Sequence, residues 1–341
     1  MGSPYANMET EMAIKTLSKL KMSLLGAVIA MPASAADLGI ALDTAPDLEN
    51  SGSYVWAHTF AEHLNAIEGW TVKELARGAV GGEAEKLDQI QQGLLEVAMA
   101  DLKSAGSLNA FAFGLGLPYF WESIDELDAA LTEGGIMARI NEGTQPHGVR
   151  VAAIAPIGDF SGIFNTKHAV SSVSEMADLR MRALDQRQVD LFTALGVSST
   201  IVSWDEVPNA LQTGIADGYV NSAMVPVMFG HTGFIKHFTD AKAWFSTRIA
   251  IISDAWYQGL SEEDQAHVED ATAAANQAHR AWLGERRAAD REGLKAAGIE
   301  FTELSPEARA EFQELAASTY AETLGEDALA AYIAARNAYQ N

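Results

Sequence analysis

Apolar residues recur along the chain in two alternating patterns: short continuous runs, and runs with helical spacing. Leu38-Gly-Ile-Ala-Leu42 is apolar and breaks at Asp43-Thr-Ala-Pro46, which predicts a buried strand followed by a loop. From Ser51 the spacing turns helical, with Tyr54, Ala57, Ala61 and Leu64 on one face. Trp70 to Leu75 predicts a second strand, Gly81-Gly82 opens a helix running through Ile90, and Leu95 to Ala100 predicts a third strand ending at Asp101. Strands alternating with helices imply parallel β-α-β units, whose ligands sit beyond the carboxyl ends of the strands.

A second set begins at Val149, where Val149-Arg-Val-Ala-Ala-Ile-Ala155 is strand-like and ends at Pro156-Ile-Gly-Asp159. It continues with a strand over Leu179 to Ala183, a helix across Val189 to Leu195 and a strand over Thr200 to Val202. Next comes a helix capped by Ser203 or Asp205, with Pro208 in its first turn and Gly214 at its end. From Ser261 to about Ala297 runs a helical stretch free of proline. At 1.5 Å per residue it would reach about 54 Å, more than one domain's diameter, so it should brace both lobes. Ser305-Pro306-Glu307 reads as the start of another helix. There is no internal repeat and no Pro-rich or Ser-rich linker, so the lobes are expected to be joined by more than one crossing of the chain. The expected division is a leader with an N-terminal extension over 1–35, lobe I over 36–158 plus 247–286, and lobe II over 159–246 plus 287–341.

Residues 12–36 show the order of a secretory signal peptide: Lys15, Lys19 and Lys21, an apolar run from Met22 to Met31, then Pro32-Ala33-Ser34-Ala35-Ala36. The run is shorter than the roughly 20 residues needed to span a bilayer, so cleavage after Ala35 and a soluble extracytoplasmic protein are expected. The first eleven residues lack leader character. Charge sharpens the picture. The 341 residues hold 23 Lys+Arg against 46 Asp+Glu. Three lysines and two glutamates of the leader carry +1, so the total of −23 leaves −24 on residues 36–341. A chain this acidic is a poor partner for nucleic acid or an anionic membrane surface. It has no cysteine, so an exported fold must rest on its core rather than on disulfides.

Enzyme signatures are absent from the sequence: no G-x-x-x-x-G-K-[ST] loop, no H-E-x-x-H pair and no G-x-S-x-G elbow. In Gly158-Asp-Phe-Ser-Gly162 the serine stands one step out of register for such an elbow. His58 and Glu62-His63 have metal-like spacing without a third candidate nearby, which favours a solvated helix face. Arg182 ends a predicted strand, where a guanidinium can grip a carboxylate through two parallel charge-assisted hydrogen bonds.

The ordered set Phe60-Ala-Glu62, Gly81-Gly-Glu-Ala-Glu85, Ile90-Gln-Gln-Gly93, Gly116-Leu-Pro-Tyr-Phe120, Asp178-Leu-Arg-Met-Arg182 and Trp204-Asp-Glu-Val-Pro-Asn-Ala-Leu-Gln-Thr-Gly-Ile-Ala-Asp-Gly218 resembles the solute-binding proteins of tripartite ATP-independent periplasmic (TRAP) transporters. The stretch from Glu206 to Gly218 is its most specific part. The resemblance implies an α/β periplasmic binding protein fold of type II-like form, with two lobes, each a mostly parallel sheet flanked by helices, and a long helix spanning both. It implies a monomer that closes on a small organic anion without a cofactor and delivers it to small and large integral membrane subunits. Arg182 matches the family arginine that pairs with the ligand carboxylate, Asn221 the polar side chain at the next strand end, and Trp204 an aromatic wall of the pocket.

One departure bears on the ligand. Many relatives carry a second arginine in the strand corresponding to Gly162-Ile-Phe-Asn165, where this chain has Phe164 and no arginine. Asp159, Phe160 and Asp101 stand at predicted strand ends that could face the cleft, and Glu49 lies in the first loop. Buried aspartates want a cation, a hydroxyl or a water. A zwitterion or a hydroxylated monocarboxylate is therefore expected over a dicarboxylate, with Phe160 or Trp204 covering an apolar or cationic face; the alternative for Asp159 and Asp101 is capping of neighbouring helices or loops. Two other functions stay open at this point: a secreted hydrolase or lyase using Asp159, Asp101 or Glu49 as acid and base, and a ligand-loaded partner of a receptor kinase.

Overall fold

The structure, a computed structural model, describes residues 37–340. The expected leader and its cleavage site lie outside the described residues. Eleven strands follow one another along the chain: β1 (Asp37–Ala41), β2 (Thr71–Leu75), β3 (Val97–Asp101), β4 (Val149–Ile154), β5 (Gly162–Asn165), β6 (Arg180–Ala183), β7 (Ser198–Ile201), β8 (Gly218–Asn221), β9 (His237–Asp240), β10 (Arg248–Ser253) and β11 (Glu300–Glu303). They form two sheets, β2-β1-β3-β10-β4 and β11-β9-β5-β8-β6-β7. In the first, β1 pairs in parallel with β2 and β3, while β10 inserts antiparallel between β3 and β4. In the second, β5 is the antiparallel insertion, between β8 and β9. Each sheet is thus mostly parallel, as expected, with one reversed strand where the chain enters from the other lobe.

The first sheet is covered on both faces, which is why its strands read as continuous apolar runs. Ile40, Val97 and Met99 pack with Trp56, Phe60 and Leu64 of the helix Gly52–Asn65. On the other face Ala98, Ala100, Ile249 and Ile251 pack with Phe120, Trp121 and Leu127. The second sheet is sandwiched likewise, Met181 and Ala183 against Phe192 and Phe312, and Phe164 and Phe238 against Leu294 and Val207.

The helix Glu262–Ala296 is 35 residues long, about 52 Å. Ser261 caps it by accepting from the Asp264 N–H, and Glu262, Glu263 and Asp264 fill its first turn, where acidic side chains favour the positive end of the helix. Val268, Ala271 and Ala275 pack on the first sheet's cluster and Leu294 on the second's. Between these ends it is fastened to the crossover: His279 Nε2–H donates to the Pro156 carbonyl (2.8 Å), and Arg286 and Trp282 donate to the Glu49 carbonyl (2.7 and 3.1 Å). The Gly52 backbone passes so close that a Cβ there would lie 2.5 Å from the Pro156 oxygen and 2.6 Å from the Trp282 ring.

Several local expectations are corrected. Ser203 stands at the N-cap of a 3-10 turn, Trp204–Glu206, that leads into Val207–Thr213, but neither Ser203 nor Asp205 caps through its side chain. Asp205 is held elsewhere, by Arg77. Gly214 does close that helix, at φ 72°. The expected placement of 287–341 in lobe II fails at its end, because the helix Glu326–Gln340 returns to the first sheet. There Tyr332 and Ala335 join the cluster of Phe120 and Trp121, Tyr332 Oη donates to the Phe111 carbonyl and Arg336 donates to that of Phe120. Its apolar residues find a partner surface on the first lobe. No described helix is long and apolar enough to cross a membrane.

Candidate functional site

A cavity of about 610 Å³ opens between the two sheets. Its wall is built from residues just past the carboxyl ends of β1, β2 and β3 on one side and of β6, β7 and β8 on the other, with the 244–248 crossover between them. That is where parallel strands leave backbone and side chains free to meet a ligand.

Arg182, at the third position of β6, is the central side chain. Only 4% of it is exposed, its Nε–H donates to the Val202 carbonyl (2.9 Å), and its guanidinium lies 5.5 Å from the centre of the Trp204 ring. Arg182 lines the cavity, and its Nη2 is buried without a hydrogen-bond partner. Burial pushes its pKa down to about 10 despite the carboxylates of Asp185 and Asp101 nearby. A guanidinium held in this state wants an anion. Asn221, at the end of β8, lines the same cavity. Its Oδ1 accepts from the Ser222 N–H (2.9 Å) and the Ser246 hydroxyl (2.6 Å). A backbone N–H can only donate, so the oxygen is fixed and the amide N–H groups remain to donate.

Trp204 stands edge-on to Tyr219 and Phe229 and lines the cavity. Asp101 lines it too, while capping the helix Leu102–Leu108 by accepting from the Ser104 N–H (3.0 Å) and hydroxyl (3.1 Å). The other three candidates are not on the wall. Glu49 offers only its carbonyl, to the long helix. Asp159 turns toward the same helix, near Asp290, and its carbonyl accepts from Ser222. Phe160 stacks behind Phe245 with ring centres 4.1 Å apart, and Phe245 takes the place on the wall. Side chains in the loop after a strand can face either way, which run and spacing do not decide.

Sequence reasoning missed a charged network on the first-lobe wall. Arg248, which opens β10, meets Asp43 (2.5 Å) and Glu83 (2.9 Å). Lys86 meets Glu83 (3.0 Å) and the Met99 carbonyl (2.7 Å). The two cations overcome burial and hold the Glu83 carboxyl down at about 2. Burial pushes Lys86 down, and the flanking carboxylates push Arg248 up. Across the cavity Arg77 reaches Asp205 at 2.5 Å, and Arg187 lies over Phe113 at 3.8 Å, so the two walls touch. Among the described residues no cluster of His, Asp and Glu is suited to a metal ion.

The Asp217-Gly218 part of the specific stretch is structural. Asp217 accepts from the Arg180 backbone N–H and guanidinium and pairs with Lys167, and these bonds hold its pKa down at about 2 against burial. Gly218 lets β8 approach β5: a Cβ there would lie 1.9 Å from the Phe164 oxygen.

Comparison with known proteins agrees with this architecture. Residues 48–327 match the family model of DctP, bacterial extracellular solute-binding protein, family 7. The ectoine-binding periplasmic protein TeaA of Halomonas elongata is 26% identical over 231 residues, 65% of each chain. The solved structure of that protein, from the TeaABC TRAP transporter, superposes with a TM-score of 0.81 at 23% identity, covering 89% of this chain and 99% of that one. The ectoine/5-hydroxyectoine-binding periplasmic protein UehA of Ruegeria pomeroyi is 27% identical over 282 residues, 78% of this chain and 80% of that protein. A TRAP periplasmic solute-binding protein from Polaromonas sp. JS666, bound to D-erythronate, has a TM-score of 0.78 at 22% identity, over 87% of this chain and 98% of that one. The chain belongs to family 7 of the bacterial extracellular solute-binding proteins, the TRAP solute-binding proteins that its sequence resembles.

Proposed function

We propose that this solute-binding protein captures a small carboxylate-bearing organic solute in the cavity between its sheets, with Arg182 and the Asn221 amide on the carboxylate. The observation that carries the reading is the buried Arg182 guanidinium, which lines the cavity and whose Nη2 has no hydrogen-bond partner. A ligand carboxylate would complete its hydrogen bonds and neutralise its charge in one step. A relative named as a periplasmic protein and a solved neighbour named as a TRAP periplasmic solute-binding protein support a periplasmic location and delivery of the solute to integral membrane subunits, and the protein would act as a monomer. Closure would occur by rotation of the lobes about the 156–159 and 241–247 crossovers, along the braced long helix. Lobe I in this motion is 36–158, 247–286 and the returning helix Glu326–Gln340, and lobe II is the remainder.

Release without chemical change is the second part of the proposal. The acids that a hydrolase or lyase would use do not converge: Glu49 and Asp159 are off the wall, and Asp101 is engaged by Ser104. No specific observation favours the receptor-partner reading. A thermal-shift panel of carboxylates on the full chain, followed by calorimetry and recovery of the ligand, tests the function. A compound at 100 times its dissociation constant stabilises by about 2.7 kcal/mol. A stabilising carboxylate recovered unchanged, with affinity at least about 30-fold weaker in Arg182→Ala, is the expected result. Ligand turnover, or unchanged affinity in that variant, would overturn it.

A further inference from the structure

The charges on the wall narrow the ligand further. Six basic residues (Arg77, Lys86, Lys103, Arg182, Arg187 and Arg248) and four acidic ones (Asp43, Glu83, Asp101 and Asp205) line the cavity among the described residues, in a protein of net charge −23. Three of the four acids are already ion-paired within the protein itself. Asp43 is held by Arg248, Glu83 by Arg248 and Lys86, and Asp205 by Arg77. Asp101 accepts from Ser104 and lies in the field of both Arg182 and Arg248.

Three of the five aromatic rings on the wall already lie under cations of the chain. Guanidiniums of the chain lie over Trp204 (Arg182, 5.5 Å), Phe113 (Arg187, 3.8 Å) and Phe229 (Arg77, 5.9 Å), and one face of Phe245 is covered by Phe160. A cationic group on a ligand would find three of the four wall carboxylates already ion-paired and would enter the field of Arg182 and Lys103. Much of the rest of the wall is apolar, with Leu42, Leu102, Ile157, Leu184 and Val220 among its residues. Ile201, also on the wall, is 54% exposed, an apolar surface that a ligand would cover. The volume of about 610 Å³ falls in the range that encloses drug-sized ligands rather than the smallest acids.

We infer that the cleft takes an anion with one carboxylate and an apolar, aryl-sized body, and that it discriminates against zwitterions and polyhydroxylated acids. This rests on the reading that Arg182 receives a carboxylate. The Arg248–Asp43–Glu83–Lys86 network and the Arg77–Asp205 pair act as specificity-determining groups by consuming the carboxylates that a zwitterion's cation would need.

The test is calorimetry on the full chain with 3-phenylpropionate, D-erythronate and ectoine, in the native sequence and in Arg182→Ala, Arg182→Lys and Ile201→Ser. The expected result is 3-phenylpropionate binding at least about tenfold more tightly than the other two. Affinity for it should fall at least about 30-fold in Arg182→Ala, and Arg182→Lys supplies the same readout if the alanine variant fails to fold. Ile201→Ser, at an exposed position, should weaken 3-phenylpropionate about threefold or more and leave D-erythronate unchanged. Tighter binding of ectoine or D-erythronate, still dependent on Arg182, would overturn the apolar-anion inference and leave the carboxylate reading standing. Binding of none of the three, or binding indifferent to Arg182, would overturn both.

Discussion

Replacing Arg182 by methionine should stabilise the ligand-free protein while abolishing its affinity. Methionine keeps an unbranched stem of similar length and removes the buried charge. Desolvation holds the guanidinium's pKa at about 10 instead of 12.5, a penalty of about 3 kcal/mol on the charged form at neutral pH. The sign follows from the proton: folding makes the charged state less favourable, so the folded protein carries the penalty wherever Arg182 is protonated. Against this stands the loss of the bond to the Val202 carbonyl, about 1.5–3 kcal/mol for a charged donor. The thioether recovers part through burial on the apolar wall. The net expectation is a gain of about 1 kcal/mol, or roughly 1.5 °C in melting temperature for a chain of this length. Calorimetric melts of both proteins, with and without a stabilising carboxylate, measure it. A ligand-free variant less stable by more than about 1 kcal/mol would refute the reasoning, because the guanidinium would then be serving the fold rather than awaiting an anion.

Gly52→Ala should destabilise by about 1–3 kcal/mol, since its Cβ meets the Pro156 oxygen at 2.5 Å and the Trp282 ring at 2.6 Å; a chemical denaturation midpoint equal to the native one would contradict this packing. His279 is neutral, with Nε2–H donating to Pro156 and Nδ1 accepting from Arg280 (2.7 Å), and burial pushes its pKa down to about 3. An unfolded histidine takes up a proton near pH 6.5 and this one resists until about pH 3, so its contribution to stability is lost as pH falls through that window, by roughly 5 kcal/mol in full. His279→Gln, which can make both hydrogen bonds, should flatten the stability profile there, and an unchanged slope would contradict the assignment. Arg77→Ala removes an exposed ion pair and should shift stability by less than about 1 kcal/mol. It should also enlarge the ligand-free radius of gyration in small-angle scattering; identical profiles would show that the pair does not hold the walls together.

The first three strands and the long helix were legible because their signals are local. Ile40, Val97 and Met99 are buried on covered faces and read as apolar runs, and Ser261 with three following acids announces a helix start. The reversed strand β10 was not, although Ile249-Ala-Ile-Ile252 is apolar throughout, because its place between β3 and β4 is set by pairing with distant segments. The four-residue strands β5, β8 and β9 are too short to carry a period of their own. In the site, Arg182, Asn221, Trp204 and Asp101 lie at strand or turn positions that the topology turns toward the cavity; a strand end pointed to Arg182, and family resemblance gave it a role and added Asn221 and Trp204. The Arg248–Glu83 contact joins residues 165 apart in sequence, and nothing local marks either as a wall residue. Glu49 was placed by its loop and Asp159 by a predicted strand end, and the long helix lies against both segments.

The most direct test of carboxylate capture is an experimental structure of the full chain with the best-binding carboxylate from calorimetry. Closed lobes are expected, with one carboxylate oxygen at roughly 2.7–2.9 Å from the Arg182 guanidinium and a hydrogen bond from the Asn221 amide. A ligand bound outside the cavity, or within it with the Arg182 guanidinium still lacking an anionic partner, would contradict carboxylate capture.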